Sequence, residues 1–271
     1  MIVSMMPIDT ISPLYIAALL AVIGACVGSF ITLITYRLPL GLDVIITRSR
    51  CPKCQKPLHA RDLFPILSWV AMRGSSRCCQ QKIGMRYPLV ELICALCAML
   101  PVMVYGASLS TLFLVGLLWA VVAIFITDLE HQIILDEVQI FVWVLGSLYA
   151  LINGRALEDI VALTVIGAAI GLGLKYGFLY FAGKDGLGLG DVKFLAAAGV
   201  WLPAWQAFVP FMFAAGVLGI MSALLWKKAG HGERFPFGPA LALSLLLCVL
   251  YPPAPRSFFT LFGLLHTPPV F

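Results

Sequence analysis

Charge is scarce in this chain: of 271 residues only 11% are Asp, Glu, Lys or Arg, against 61% that are hydrophobic. So little polar surface excludes a soluble globular domain. The 13 acids and four histidines leave few groups for proton transfer, so any acid beside an apolar run stands out. Low-complexity tracts and solenoid-type repeats are missing, which excludes linker-rich and array architectures. The first apolar stretch has neither the basic start nor the small-residue cleavage pattern of a removed signal peptide, so it is read as a span. With mean hydropathy +1.00, what remains is a polytopic membrane protein.

A crossing helix needs roughly 20 apolar residues. Eight stretches qualify as expectations, at about 13–37, 86–105, 109–127, 137–153, 158–182, 192–203, 205–226 and 239–252. The expected fold is therefore an all-α membrane bundle of about eight transmembrane helices, with a cytoplasmic loop subdomain between the first two. It divides into a first helix (1–38), a cysteine-containing loop (39–85), a membrane-embedded bundle (86–252) and a C-terminal tail (253–271).

Short loops rich in Lys and Arg stay in the cytoplasm. The loop between the first two spans holds Arg37, Arg48, Arg50, Lys53, Lys56, Arg61, Arg73, Arg77, Lys82 and Arg86 against Asp43 and Asp62. Counting from this anchor puts the N-terminus outside and the turns at 128–136, 183–191 and 227–238 inside, the last with Lys227, Lys228 and Arg234. The formal charge of +5 is thus a topology signal and the bilayer its partner, with no nucleic acid implied.

Asp128 ends the third span and Asp191 opens the sixth, so both fall on the cytoplasmic side by that count. Two aspartates at one membrane depth can share a proton and a water, as peptide-bond hydrolysis by an aspartic protease requires. Gly186, Gly188 and Gly190 precede Asp191, removing Cβ bulk where a neighbouring helix or an extended substrate would approach and making regular helix doubtful there. Each acid alone also suits a helix end. Asp136 and Glu137 fit the start of the next helix. Phe235-Pro236-Phe237-Gly238-Pro239 opens the last span, either as a plain helix boundary or as the lining of a cleft beside the acids.

In these residues the chain resembles the type IV prepilin peptidases, a family within the GxGD intramembrane aspartic proteases. The resemblance runs from Gly28-Ser29-Phe30 and Tyr36-Arg37-Leu38-Pro39 through Cys51-Pro52-Lys53-Cys54, Pro65-Ile66-Leu67-Ser68-Trp69 and Arg86-Tyr87-Pro88-Leu89-Val90-Glu91. It continues over Asp128 and Gly188-Leu189-Gly190-Asp191-Val192-Lys193 to Pro236-Phe237-Gly238-Pro239. It implies a bifunctional inner-membrane enzyme that removes the basic leader from type IV prepilin or pseudopilin precursors, then methylates the new N-terminus from S-adenosylmethionine. The family's catalytic aspartates fall on Asp128 and Asp191, with Gly188, Gly190, Pro236, Gly238 and Pro239 around them.

Cys51 and Cys54 have the spacing of a zinc half-site. Similar family members carry a second C-x-x-C, but here Ser76 stands where its first Cys would fall and Cys78 and Cys79 are adjacent. The readings left open are zinc on Cys51, Cys54 and Cys79 with Cys78 or His59 as fourth ligand, and reduced thiols in a loop held by Leu58, Leu63, Trp69 and Ile83. Cys94 and Cys97 lie one turn apart inside the second span and read as packing. Glu91, near Arg86, is either a buried partner of a cation or a contact for the methyl donor. A proton-coupled transporter using the same aspartates is the rival from another class.

Overall fold

The computed structural model describes residues 13–44, 49–51, 53–183, 186–230, 232 and 235–251. Among these residues all regular structure is helical, apart from two isolated β-bridges that pair Arg50 with Pro57 and Ser75 with Lys82. The residues before 13, Arg48, Arg234 and the tail 253–271 lie outside the described residues. The chain forms two compact units, Met1–Ala123 and Ile124–Phe271.

The first unit holds α1 (Pro13–Arg37), the short α2 (Leu67–Ala71), α3 (Arg86–Tyr105) and the opening turns of α4 (Leu109–His131). Lipid supplies no hydrophobic drive for one helix to leave it for another, so close backbone approach has to hold α1 against α3. Gly24 and Gly28 provide that approach. A Cβ on Gly24 would lie 2.5 Å from the Cys94 carbonyl oxygen, and one on Gly28 would lie 2.7 Å from the Glu91 Cα. Cys94 is fully buried at this seam, and its carbonyl accepts the Trp119 indole N–H at 3.0 Å, in keeping with a packing role.

The second unit holds the rest of α4 with α5 (Asp136–Ile152), α6 (Leu157–Ala182), α7 (Leu189–Gly199), α8 (Phe208–Lys228) and α9 (Gly238–Leu250). Its centre is α7, which packs on α5, α6 and α9 and buries Val192, Phe194, Leu195, Ala197 and Ala198. The turn after α7 is closed by Arg155, whose Nη1 donates to the carbonyls of Val200 and Leu202 at 2.9 Å each. Trp201, just past α7, is buried, donates to the Val142 carbonyl at 3.0 Å and stacks on Tyr149.

Each of the eight expected stretches carries a helix among the described residues. Among the described residues five segments are long and apolar enough to span: Leu14–Leu40, Arg86–Tyr105, Leu109–His131, Leu157–Phe181 and Trp205–Lys228. With 17, 11 and 13 residues, α5, α7 and α9 extend roughly 26, 17 and 20 Å, less than the ~30 Å hydrocarbon core. Apolar composition foretold the helices; Gly188 and Gly238 mark where α7 and α9 begin, and α7 ends at Gly199, short of the stretch expected to run to 203.

Candidate active site and metal centre

Asp128 lies inside α4 rather than at its end, because the helix continues through His131. It is 5% exposed, and its Oδ2 accepts the Gly238 backbone N–H at 2.7 Å. That contact explains the glycine: a Cβ there would stand 2.9 Å from the same oxygen. Pro239 follows in the first turn of α9, where its missing N–H costs nothing. The Phe-Pro-Phe-Gly-Pro boundary is thus both a helix start and the wall against Asp128.

Asp191 sits in the first turn of α7, half-buried, its Oδ2 accepting the Gly188 N–H at 3.0 Å. This is half of a capping box, since glycine has no side chain to return the bond. Regular helix begins at Leu189, so Gly190 is helical despite the glycine run. The charges of Asp128 and Lys175 both act on Asp191. The Lys175 ammonium donates to the Leu187 carbonyl at 3.0 Å, bracing the turn ahead of α7. Among the described residues neither acid forms an ion pair. The structure therefore brings together two carboxyls, 63 positions apart in the chain, each steadied by one backbone N–H and each in electrostatic reach of the other.

Asp136 stays apart from this pair. It is exposed at the start of α5, where negative charge meets the helix dipole, and it binds Lys193 of α7 through both oxygens at 2.8 Å. Sequence reasoning missed two neighbours. Lys193 clamps α7 to α5 two residues after Asp191. Gln139, 4% exposed, donates to the Ile134 carbonyl at 3.1 Å while its Oε1 has no partner among the described residues. Its Nε2 would lie 3.8 Å from a Cβ on Gly190. A lone amide in the apolar run 138–152 was the available signal.

The four loop thiols converge as well. The sulfurs of Cys51, Cys54, Cys78 and Cys79 all lie within 4.8 Å of one another, with Cys51 to Cys79 at 3.6 Å and Cys54 to Cys78 at 3.2 Å. Tetrahedral zinc with Zn–S near 2.3 Å needs sulfurs about 3.8 Å apart, so the set fits that ion. Two like turns present them. Cys51 N–H donates to Lys56 O and accepts Gln55 N–H on its own carbonyl, and Ser76 makes the same two bonds with Gln81 and Gln80. Ser76 is thus the counterpart of Cys51, and Cys79 that of Cys54. Cys78 brings the fourth sulfur from one position earlier in the second turn, while buried Ser76 bonds Cys79 at 3.3 Å. Adjacent cysteines ligating together, unpromising from spacing alone, are accommodated. His59 is not in this group; its N–H donates to Asp62 Oδ2 at 3.3 Å.

Hydrogen bonds set the thiols apart electrically. Backbone N–H groups of Cys54 and Lys53 bring Cys51 down from 9.0 to about 6, whereas the bond with Cys54 pushes Cys78 up to about 12. Cys79 is lowered, chiefly by the Ser76 hydroxyl.

Glu91 is 7% exposed in α3. Its Oε2 accepts the Ile66 backbone N–H at 2.7 Å, while Arg86 donates to Thr35 Oγ1 at 2.9 Å. Ile66 is held at φ 60°, ψ −53°, with Leu67 N–H on Pro65 O at 2.5 Å, a γ-turn on a β-branched residue. Such a conformation costs about 1–3 kcal/mol and persists only where its surroundings impose it.

Residues 22–105 match the bacterial peptidase A24 N-terminal domain, and residues 113–224 match the type IV leader peptidase family. A prepilin leader peptidase/N-methyltransferase of Pseudomonas putida is 32% identical over 265 residues, covering 88% of this chain and 92% of the relative. Proteins of the same name from Pectobacterium carotovorum subsp. carotovorum and Aeromonas hydrophila are 33% and 31% identical, each over 83% of this chain and over 89% and 87% of their own lengths. No solved structure matches. The chain belongs to the type IV leader peptidase family.

Proposed function

We propose that the protein cleaves the basic leader from type IV prepilin or pseudopilin precursors and methylates the new N-terminus, with Asp128 and Asp191 as the catalytic pair. The observation that carries this reading is a buried aspartate in a membrane-spanning helix in electrostatic reach of a second one on α7. A precursor with a basic leader in the cytoplasm and an apolar helix in the bilayer has its cleavage point at the cytoplasmic interface. Asp128, three residues before the end of α4, is at a fitting depth when the loop 39–85 faces the cytoplasm of an inner-membrane protein and the N-terminus lies outside.

One carboxylate, ionised, takes a proton from the shared water, and the other, protonated, gives its proton to the scissile carbonyl oxygen. The C–O bond forms, the C–N bond breaks, and a proton passes to the leaving amine. The pair titrates as a unit. Gly238 and Gly188 keep the two carboxyls in place through their N–H groups.

Zinc held by Cys51, Cys54, Cys78 and Cys79 staples the loop subdomain, which is too small to bury a strong core alone. S-adenosylmethionine supplies the methyl group. The carrier reading draws no support, since the curated relatives are named for peptidase and methyltransferase activities. Incubating the detergent-purified chain with a prepilin precursor, with and without S-adenosylmethionine, tests the reading. It should give a shortened product and, with the donor, a gain of one methyl; an uncut precursor would contradict it.

A further inference from the structure

The segment 63–71 has two sides. Trp69 points inward: its indole donates to the Ile83 carbonyl at 3.1 Å, and Gly74 packs on its ring so tightly that a Cβ would lie 2.9 Å away. Leu63, Phe64, Leu67 and Val70 point outward and are 43–64% exposed. Four large apolar side chains within eight residues make a patch that water would not leave uncovered without a reason.

Its position in the fold says what covers it. Ile66, in the middle of the patch, gives its N–H to Glu91, five residues into α3 and so roughly 7 Å along the axis from Arg86. Around Glu91, α3 turns Leu89 and Leu92 outward, 52% and 47% exposed, on a helix of spanning length. Phe64 and Leu67, on either side of the γ-turn at Ile66, are 60% and 64% exposed. Arg61 and Arg73 are exposed at the two ends of the segment, where an anionic headgroup layer would meet them.

From this we infer that the segment 63–71 is a membrane-interface foot: Leu63, Phe64, Leu67 and Val70 insert among acyl chains at the headgroup boundary, and buried Glu91 pins the foot to α3. The lipid surface, rather than a protein partner, is the occupant, because the patch is tied through Ile66 to Glu91 on a helix of spanning length that exposes Leu89 and Leu92 beside it. Helix α2 lies in the interface in the manner of a short monotopic segment. The loop bearing the thiols is thereby fixed at the bilayer instead of floating above it.

The test is photolabelling of the full chain in vesicles of phosphatidylethanolamine and phosphatidylglycerol carrying a diazirine lipid, mapped by peptide mass spectrometry. Phe64, Leu67 and Val70 should be labelled to the level of Leu89 and Leu92. Labelling no higher than at Gln80 and Gln81 would overturn the inference. Loss of the label on adding saturating prepilin precursor, with label or cross-link appearing on the precursor, would assign the patch to substrate and also overturn it. Leu67→Ser with Val70→Ser should lower labelling of the segment by on the order of tenfold while Trp69 emission stays native. Glu91→Ala should release the foot with a comparable loss; if that variant fails to insert, the serine pair still decides. None of these readouts depends on peptidase activity, so failure here leaves the proposed reaction standing.

Discussion

The carboxyl pair of the second unit and the thiol cluster of the first are assembled by opposite means. Asp128 and Asp191 come from distant helices, and each is steadied by one backbone N–H, from Gly238 and from Gly188. The thiols come from two short turns whose backbone bonds repeat between Cys51–Lys56 and Ser76–Gln81. A site built by helix packing has no spare register, since moving Asp191 by one residue rotates it about 100° around α7. A site built from turns tolerates a one-residue shift, which is how Cys78 supplies the sulfur that Ser76 lacks.

Asp128→Asn or Asp191→Asn should each lower prepilin cleavage by about a thousandfold or more with helicity by circular dichroism unchanged. Normal processing by either variant would remove that acid from the site. Next in size, Cys78→Ser should take bound zinc from near one equivalent to below about half, and Ser76→Cys added to it should restore the metal. Failure of the rescue would mean the two turns are not equivalent; cleavage should change far less than zinc content in both variants.

A smaller effect comes from pH. In metal-free protein Cys51 should titrate near pH 6 instead of 9.0, followed by thiolate absorbance and lost in Cys51→Ser. Because the folded value is depressed, the stability this thiolate gives the loop is fully present above pH 9.0 and declines as the pH falls to about 6. No thiol ionising below about pH 8 would contradict the hydrogen bonds assigned to it. Least of all, Lys193→Met breaks an exposed pair with Asp136, and thermal unfolding should register about 1 kcal/mol or less.

Much of this was readable before the structure. Hydrophobic stretches located every long helix, because a membrane helix must be apolar along its length, and acids next to such stretches are conspicuous. The C-x-x-C spacing was equally plain. What stayed hidden depends on contacts across the fold. Trp201 near a span end looks like a belt residue until the gap above Gly146 buries it against Val142 and Tyr149. Glu91 looked like a partner for Arg86, and its carboxylate instead holds a strained turn 25 residues earlier. Gln139 and Lys193 matter through neighbours that no local pattern names.

The claim on which the account rests is that Asp128 and Asp191 act as one unit, and the most direct measurement compares cleavage of a prepilin precursor by both single Asn variants and the double variant. The double variant should be no slower than either single one, all three at background, since removing one partner already disables the other. If the losses multiply, with each single variant retaining a measurable share of activity, the two carboxyls work independently and the shared-water mechanism is wrong.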